Sequence, residues 1–312
     1  MPWKGEKDPY KIWLSEIILQ QTRVEQGLAY YNTFISTFPD VHKLARAKDK
    51  KVFKLWEGLG YYTRCRNLLA TARHISKEFK GKFPSTYEDI KALKGIGPYT
   101  AAAISSFAFN LPHAVVDGNV FRVLARVFGI DSPVDSTAGK KLFTALADEL
   151  IDKKQPGLYN QAIMDFGAVI CKPALPLCTG CVFNKQCVAL RSNKINELPV
   201  KEKKISIRKR WFYYVVLEYK NEIAIRQRTE KDIWQDLYEF PLVEAEGELD
   251  KKNILLQVKK KKWILANQFE LLTISPLFKQ QLSHQLIAGQ FIKIRLLQKI
   301  NLPHNCLWIP KR

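Results

Sequence analysis

A glycine-rich turn between two helical segments constrains this chain more than any other feature. The segment 94–101 reads KGIGPYTA and follows an apolar stretch. Gly95 and Gly97 permit backbone angles that are closed to other residues, and Pro98 suits the first position of a new helix. The pattern predicts a helix–hairpin–helix unit. The start of its second helix has unpaired N–H groups and the positive end of the helix dipole, which together favour a phosphate.

Two acidic residues are candidates for catalysis. Asp117, in the segment 116–119 (VDGN), precedes an apolar helical pattern, so we expect it at a helix start, where its carboxylate stays ionised. Glu16 lies among apolar neighbours in the segment 13–19 (WLSEIIL). If Glu16 is buried, its pKa rises and it suits a general acid, whereas on an amphipathic helix it simply faces solvent. Two carboxyl groups whose pKa values are shifted in opposite directions suit cleavage of a bond between a sugar and its leaving group.

Length and charge are compatible with a nucleic-acid ligand. The chain has 312 residues, a formal net charge of +20 and a hydrophobic fraction of 46%. About two domains are expected at this length, and the apolar fraction excludes a basic disordered tail. The positive charge favours a polyanion, although solvated lysine faces give the same balance. No apolar run reaches the length of a membrane span and no signal peptide opens the chain, which predicts a reducing cytoplasm and no membrane partner.

Four of the six cysteines are clustered in a C-x6-C-x2-C-x5-C pattern. They are Cys171, Cys178, Cys181 and Cys187. In a reducing compartment, clustered thiols are metal ligands more often than disulfides. Sites made only of thiolates suit an iron–sulfur cluster or zinc, and only one close pair is present here, whereas zinc sites often use two. Cys65 and Cys306 lie far from the group and are expected to be ordinary buried residues.

The character of the sequence changes after about residue 190. Residues 1–190 show repeated helical apolar periodicity and predict a mainly α region. Residues 191–208 carry a proline and many lysines with little periodicity, and they predict a linker. Residues 209–312 contain segments rich in strand formers, such as 211–217 and 222–225, and they predict a separate α/β domain.

Taken in order, these segments resemble one family. The segments 13–22 (WLSEIILQQT) and 58–62 (GLGYY), the hairpin, Asp117 with its neighbours and the four cysteines resemble MutY-type adenine DNA glycosylases of the endonuclease III superfamily. In the tail, Trp234, the segment 237–241 (LYEFP) and Ser283-His284 are similar to the family's Nudix-like domain. The resemblance implies a six-helix barrel over about 8–109, an iron–sulfur cluster domain from about 1–7 plus 110–190, and a Nudix-like lesion-recognition domain over 209–312.

The resemblance implies a base excision repair enzyme. Such an enzyme flips adenine mispaired with 8-oxoguanine, or with guanine, out of the duplex and hydrolyses its N-glycosidic bond. Glu16 would protonate N7 of the adenine, and Asp117 would stabilise the oxocarbenium ion or trap it covalently. Tyr99 and Asn119 would support these two carboxylates. The implied adenine pocket includes Trp3, Lys4 and Gln161.

The resemblance also implies contacts with the rest of the DNA. Gln21 and Tyr61 would fill the base stack around 8-oxoguanine, although a tyrosine in this position could instead pack in a core. Ser283 and His284 would read the lesion, and the hairpin glycines would face the DNA backbone. The four cysteines would hold a [4Fe–4S] cluster that shapes a DNA-binding element. We expect a monomer that acts on double-stranded DNA in the bacterial cytoplasm, in association with the nucleoid.

Tyr99 separates two activities within the superfamily. Endonuclease III-like members carry at this hairpin position a lysine that forms a Schiff base and cleaves the strand, and a phenol cannot form that imine. The resemblance therefore implies a monofunctional glycosylase. One alternative is a bifunctional glycosylase/AP lyase. The other is a non-catalytic iron–sulfur module that binds DNA, against which the presence of both Glu16 and Asp117 argues.

Three departures from the family pattern bear on these implications. The family usually has a helix before the segment with which this sequence opens, so packing around the cluster domain is expected to differ. Lys4 replaces an arginine, which exchanges a planar fork for a point charge. In the tail, Gln235-Asp236 replaces a glycine pair and Leu282 replaces a phenylalanine. The glutamate cluster of Nudix hydrolases is also absent from the sequence, so we expect no diphosphate hydrolysis.

Overall fold

The structure is a computed structural model of the chain, and it describes residues 4–202, 207–265, 268–282, 284–303 and 305–311. The chain divides into two compact units, residues 1–203 and 204–312. Among the described residues, no helix combines the length and the apolar composition needed to cross a membrane.

The first unit consists of helices joined by short turns. The helices are α1 (Pro9–Leu19), α2 (Val24–Thr37), α3 (Val41–Ala45), α4 (Asp49–Trp56), α5 (Tyr62–Glu78), α6 (Tyr87–Ala92), α7 (Pro98–Phe109), α8 (Gly118–Phe128), α9 (Thr137–Leu150), α10 (Pro156–Val169) and α11 (Val188–Arg191). This confirms the prediction of a mainly α first region. The glycine turn lies between α6 and α7, which form the predicted helix–hairpin–helix unit.

A core built on α1 positions one half of the site. α1 is apolar nearly all round, and a helix of that kind is normally buried. Trp13 of α1 is fully buried, as are Phe34 of α2 and Trp56 of α4, whose rings meet edge to face at 5.7 Å. Most of α1 is therefore buried, which limits the exposure of the polar residues that it carries.

A second core lies under α8 and α9 and includes part of the interval predicted as a linker. Val120, Phe143 and Cys187 contribute to this core, and so does Leu198, which is buried. The Val134 amide also donates to the Val200 carbonyl at 3.0 Å. Leu198, with the partly buried Ile195 and Val200, therefore packs against this core of the first unit.

The second unit is a mixed sheet with a helix packed on it. Its elements are β1 (Arg208–Tyr219), β2 (Glu222–Gln227), β3 (Tyr238–Glu239), β4 (Leu242–Ala245), α12 (Lys251–Lys260), β5 (Phe269–Ile274), β6 (Phe278–Gln281), β7 (Gln285–Leu296) and β8 (Cys306–Pro310). Within the described residues the main strand order is β3-β2-β1-β7-β5, with β4 on β1, β6 on β7 and β8 on β2. β1 and β7 are parallel and the other pairs are antiparallel. The predicted α/β tail is confirmed.

The parallel pairing of β1 with β7 positions the backbone of His284. Arg208 pairs with Gln285 in the register, and the Arg208 amide donates to the His284 carbonyl at 3.0 Å. His284 itself is exposed. Ser283, the other predicted lesion-reading residue, lies outside the described residues.

Candidate active site

A cavity of about 410 Å³ in the first unit brings most of the predicted catalytic residues together. Its walls come from α1, α7, the start of α8 and α10. Glu16, Tyr99, Asp117, Asn119 and Gln161 all line it. These residues are distant in the sequence, and their convergence results from the packing of α7 against α1 and of α10 against α7 and α8.

Glu16 projects from α1 into this cavity. α1 starts at Pro9 and is capped by Asp8, whose Oδ1 accepts the Tyr10 amide at 2.9 Å. Burial raises the pKa of Glu16 to about 7, a hydrogen bond from Tyr99 lowers it, and the charge of Asp117 raises it further. Glu16 keeps a small accessible surface and lines the cavity. Burial therefore favours the protonated form of this carboxyl.

Tyr99 is the second residue of α7 and lies directly after the hairpin turn. Its hydroxyl donates to Sδ of Met164 at 4.0 Å and lies close enough to the Glu16 carboxyl to interact with it. Burial is the main cause that raises the pKa of Tyr99, and the charges of Glu16 and Asp117 add to it. The side chain is thus a protonated phenol, which has no amine chemistry.

Asp117 is the N-cap of α8, as its position in the sequence predicts. Its Oδ1 accepts the amides of Asn119 and Val120, both at 2.8 Å. Its Oδ2 accepts Nδ2 of Asn119, also at 2.8 Å. Three N–H donors and the positive end of the helix dipole therefore hold one carboxylate in a fixed orientation at the cavity wall.

Arg122 supports this cap and was not identified from the sequence. Its Nη2 donates to Oδ1 of Asn119 at 2.9 Å and to the Gly167 carbonyl at 2.6 Å. Its Nε donates to the Cys171 carbonyl at 2.6 Å. Burial lowers the pKa of Arg122. The only sequence signal is the spacing of Asn119 and Arg122, which places both on one face of a helix.

The four clustered cysteines line one small cavity beside α8. Nη1 of Arg126 lies 3.6 Å from Sγ of Cys171, and the Cys187 thiol donates to the Arg126 carbonyl at 3.3 Å. Within the parts of the chain that the structure describes, no group of three or more His, Cys, Asp or Glu side chains has the arrangement of a metal site. Cys65 lies apart, buried in α5, and Cys306 lies in the other unit.

Gln21, Tyr61 and Gly95 line a second cavity, of about 180 Å³. Gln21 and Tyr61 both have left-handed backbones, with φ of 56° and 47°. This conformation costs a non-glycine residue of order 1 kcal/mol, so the surroundings must hold it. Tyr61 is 48% exposed, which places it at the lip of the cavity rather than in a core.

Arg64 provides that support and was also missed by sequence reasoning. Its Nη1 donates to the Ile17 and Ile18 carbonyls at the end of α1, both at 2.9 Å. Its guanidinium lies 5.4 Å from the ring centroids of both Trp56 and Tyr61. Burial lowers the pKa of Arg64 to about 10, so it remains charged. One side chain therefore joins the end of α1 to the turn that carries Tyr61.

Of the two glycines in the hairpin, Gly95 is the one that the backbone geometry requires. Gly95 has φ of 80°, and a Cβ there would lie 2.7 Å from the side chain of Asn67. Gly97 is the N-cap of α7, and open space surrounds the position of its missing Cβ. The backbone at the start of α7 is thus accessible to a ligand.

Two of the three residues predicted for an adenine pocket meet at a common partner. Nζ of Lys4 lies 2.7 Å from Oδ2 of Asp165, and Nε2 of Gln161 donates to Oδ1 of Asp165 at 3.0 Å. The third, Trp3, lies outside the described residues. Sequence reasoning did not identify Asp165, although it follows Gln161 by one helical turn.

Known base excision repair proteins are similar to this chain in sequence. Residues 14–147 match the model of the HhH-GPD superfamily base excision DNA repair proteins. The adenine DNA glycosylase of Buchnera aphidicola subsp. Baizongia pistaciae is 37% identical over 287 residues, which are 91% of this chain and 78% of that protein. The human adenine DNA glycosylase is 40% identical over 198 residues, which are 61% of this chain and 36% of that protein.

Solved structures support the same assignment for the first unit. A thermostable thymine-DNA glycosylase has a TM-score of 0.58 at 30% identity, over 62% of this chain and 88% of that one. A non-covalent endonuclease III–DNA complex has a TM-score of 0.53 at 19% identity, over 60% and 86% of the two chains, and shows the likeness of fold. The chain therefore belongs to the adenine DNA glycosylases, enzymes of base excision repair that hydrolyse N-glycosyl bonds in DNA.

Proposed function

We propose that this protein removes adenine mispaired with 8-oxoguanine, or with guanine, and that it hydrolyses the N-glycosidic bond without cutting the strand. One observation carries the proposal. Glu16, with a pKa of about 7, and the hydrogen-bonded carboxylate of Asp117 line the same cavity of about 410 Å³. A cavity of this size admits a flipped purine, and an acid whose protonated form is favoured beside a capped carboxylate suits this cleavage.

Glu16 is the proposed general acid. A carboxyl whose pKa lies near the working pH both carries its proton and releases it readily. It transfers that proton to N7 of adenine, and the electron pair of the C–N bond then leaves with the base. Tyr99 lies beside the carboxyl and interacts with it. Once deprotonated, Glu16 can accept a proton from the attacking water, which restores the starting state.

Asp117 is the proposed partner of the positive charge that develops on the sugar. Its carboxylate is already oriented by Asn119 and by the backbone of α8, so it needs no reorganisation when the charge appears. It stabilises the oxocarbenium ion or traps it covalently, and water then forms the new C–O bond. Arg122 keeps Asn119 in place for this role.

The remaining predicted contacts complete the proposal. Gln21 and Tyr61 would enter the base stack beside 8-oxoguanine, with Gly95 and Gly97 near the DNA backbone, and Ser283 and His284 would read the lesion. The acting species is proposed to be a monomer. The four thiols along one cavity fit a [4Fe–4S] cluster, because a donor set of thiolates alone suits iron–sulfur ligation. Such a cluster would cross-link the segment 171–187 and stabilise its fold.

A bifunctional glycosylase/AP lyase is the competing activity. It requires an amine that reaches C1′ of the sugar, whereas the hairpin position carries the phenol of Tyr99. Lys7 also lines the cavity, but its Nζ donates to the Phe107 carbonyl at 3.1 Å. A non-catalytic module, the third possibility, would have no use for a buried acid paired with a capped carboxylate.

A single-turnover assay separates these activities. The substrate is a duplex with adenine opposite 8-oxoguanine, quenched with and without alkali. We expect adenine release by the wild type, strand breaks only after alkali, and no release by Glu16→Gln, which cannot donate a proton. Glu78→Gln, an exposed carboxylate on α5, is the control and should behave like the wild type. Strand cleavage without alkali, together with a borohydride-trapped adduct, would favour the lyase, and binding without excision would favour the non-catalytic module.

A further inference from the structure

The amide of Gln161 is held in one orientation by Asp165. The two residues are four apart on α10, so their side chains share a face. Nε2 of Gln161 lies 3.0 Å from Oδ1 of Asp165, and Nζ of Lys4 lies 2.7 Å from Oδ2. Each oxygen of the Asp165 carboxylate therefore has a donor.

The carboxylate of Asp165 determines which end of the Gln161 amide faces it. An ionised carboxylate can only accept hydrogen bonds, so the NH₂ group of Gln161 must point to it. Rotation of the amide by half a turn would set an oxygen against that carboxylate. Within the described residues, no protein donor reaches Oε1 of Gln161, and this side chain lines the cavity that contains Glu16 and Asp117.

We propose that Asp165 is a positioning residue for base selectivity, because it makes Gln161 a hydrogen-bond acceptor in the base pocket. This inference rests on the proposed function. Adenine carries an amino donor at C6, next to the N7 atom that Glu16 would protonate, whereas guanine and hypoxanthine carry an acceptor oxygen there. A fixed amide oxygen pairs with the amino group of adenine and opposes the oxygen of a 6-oxopurine.

The Lys4 contact contributes less to this arrangement than the Gln161 contact does. The side chains of Lys4 and Asp165 are 38% and 42% exposed, and an ion pair with that exposure is stabilised only weakly. The orientation of the Gln161 amide depends on the negative charge of Asp165 itself. Asp165→Asn should therefore release the amide, because an asparagine can face either end of it.

The test compares adenine with hypoxanthine, each placed opposite 8-oxoguanine in otherwise identical duplexes. Hypoxanthine lacks the 2-amino group of guanine, so it differs from adenine at N1 and C6 alone. For Asp165→Asn we expect single-turnover excision of hypoxanthine to rise about tenfold relative to adenine, the size expected for relief of one mismatched hydrogen bond. General damage to the fold would not raise the rate of hypoxanthine excision relative to the rate of adenine excision. An unchanged ratio of the two rates overturns the proposal, as does equal excision of the two bases by the wild type.

Three further variants make the test specific. Asp165→Glu keeps a carboxylate and should keep most of the preference for adenine, and it also serves if Asp165→Asn folds poorly. Glu149→Gln removes an exposed charge of α9 and should leave the ratio as in the wild type. In a Gln161→Met background, Asp165→Asn should not alter the ratio further. A further change there would mean that Asp165 does not act through Gln161. Absence of adenine excision by the wild type would refute the proposed function instead.

Discussion

Replacement of Glu16 by glutamine should abolish adenine excision and yet stabilise the folded protein above neutral pH. Burial raises the pKa of Glu16 from 4.5 to about 7. Between pH 4.5 and about 7, Glu16 therefore keeps its proton in the folded protein and loses it in the unfolded chain. The resulting loss of folding stability is absent below pH 4.5, grows as the pH rises towards 7, and is complete above it.

The size of the effect follows from the two pKa values. The interval between 4.5 and about 7 corresponds to about 3 kcal/mol of unfolding free energy. Glu16 keeps some exposed surface, so solvent screening reduces this to about 2 kcal/mol. Glutamine has a similar shape and no charge, so the variant should avoid the penalty. For a unit of this size, the expected rise in Tm at pH 8 is about 4–8 °C.

The measurement is thermal or urea unfolding of the wild type, Glu16→Gln and Glu78→Gln at several values between pH 5 and pH 8. The gap in stability between the wild type and Glu16→Gln should widen with pH, whereas Glu78→Gln should follow the wild type. Parallel curves for the wild type and Glu16→Gln would mean that Glu16 ionises normally in the folded state, and the assignment of a general acid would lose its physical basis.

Further predictions concern the other parts of the site. Asp117→Asn should lower single-turnover excision at least 100-fold with little change in duplex affinity, since the sugar cation loses its counter-charge; an effect confined to binding would contradict this. Arg64→Met should lower affinity for the A:8-oxoguanine duplex about tenfold, measured at one fixed salt concentration, because the ring of Tyr61 loses its contact with the guanidinium. Purified protein should contain about four iron atoms per chain, and Cys178→Ser should reduce both iron content and DNA affinity more than the rate of excision. Replacement of Ser283 and His284 by alanine should narrow the rate difference between A:8-oxoguanine and A:G duplexes, and an unchanged difference would assign lesion reading to the first unit.

Local chemistry made one half of the site predictable from sequence. Asp117 precedes an apolar helical pattern, and an aspartate in that position caps the helix through backbone contacts only two and three residues away. The glycine turn could also be predicted from the local sequence, because glycine adopts the positive φ found at Gly95 without a steric cost. The burial of Glu16 could not be decided in this way. An acid on a helix faces either solvent or a core, and the packing of α7 against α1 decides between them.

The residues that sequence reasoning missed have a common cause. Arg64 and Arg122 donate mainly to backbone carbonyls, and every residue type supplies a carbonyl, so no pattern of side chains reveals such a partner. Asp165 resembles any acid on the polar face of a helix until Gln161 is known to line a cavity.

Features that oppose folding lie next to the groups that offset them. Burial of Glu16 disfavours its ionised form, and Tyr99 interacts with this carboxyl. Tyr61 has a left-handed backbone, and the guanidinium of Arg64 lies against its ring. Substitution of a supporting residue should therefore damage stability and activity together. Substitution of Glu16 should separate them, because the proposed general acid is also the group whose charge the fold disfavours. This opposite response is what distinguishes a catalytic acid from a structural one in this protein.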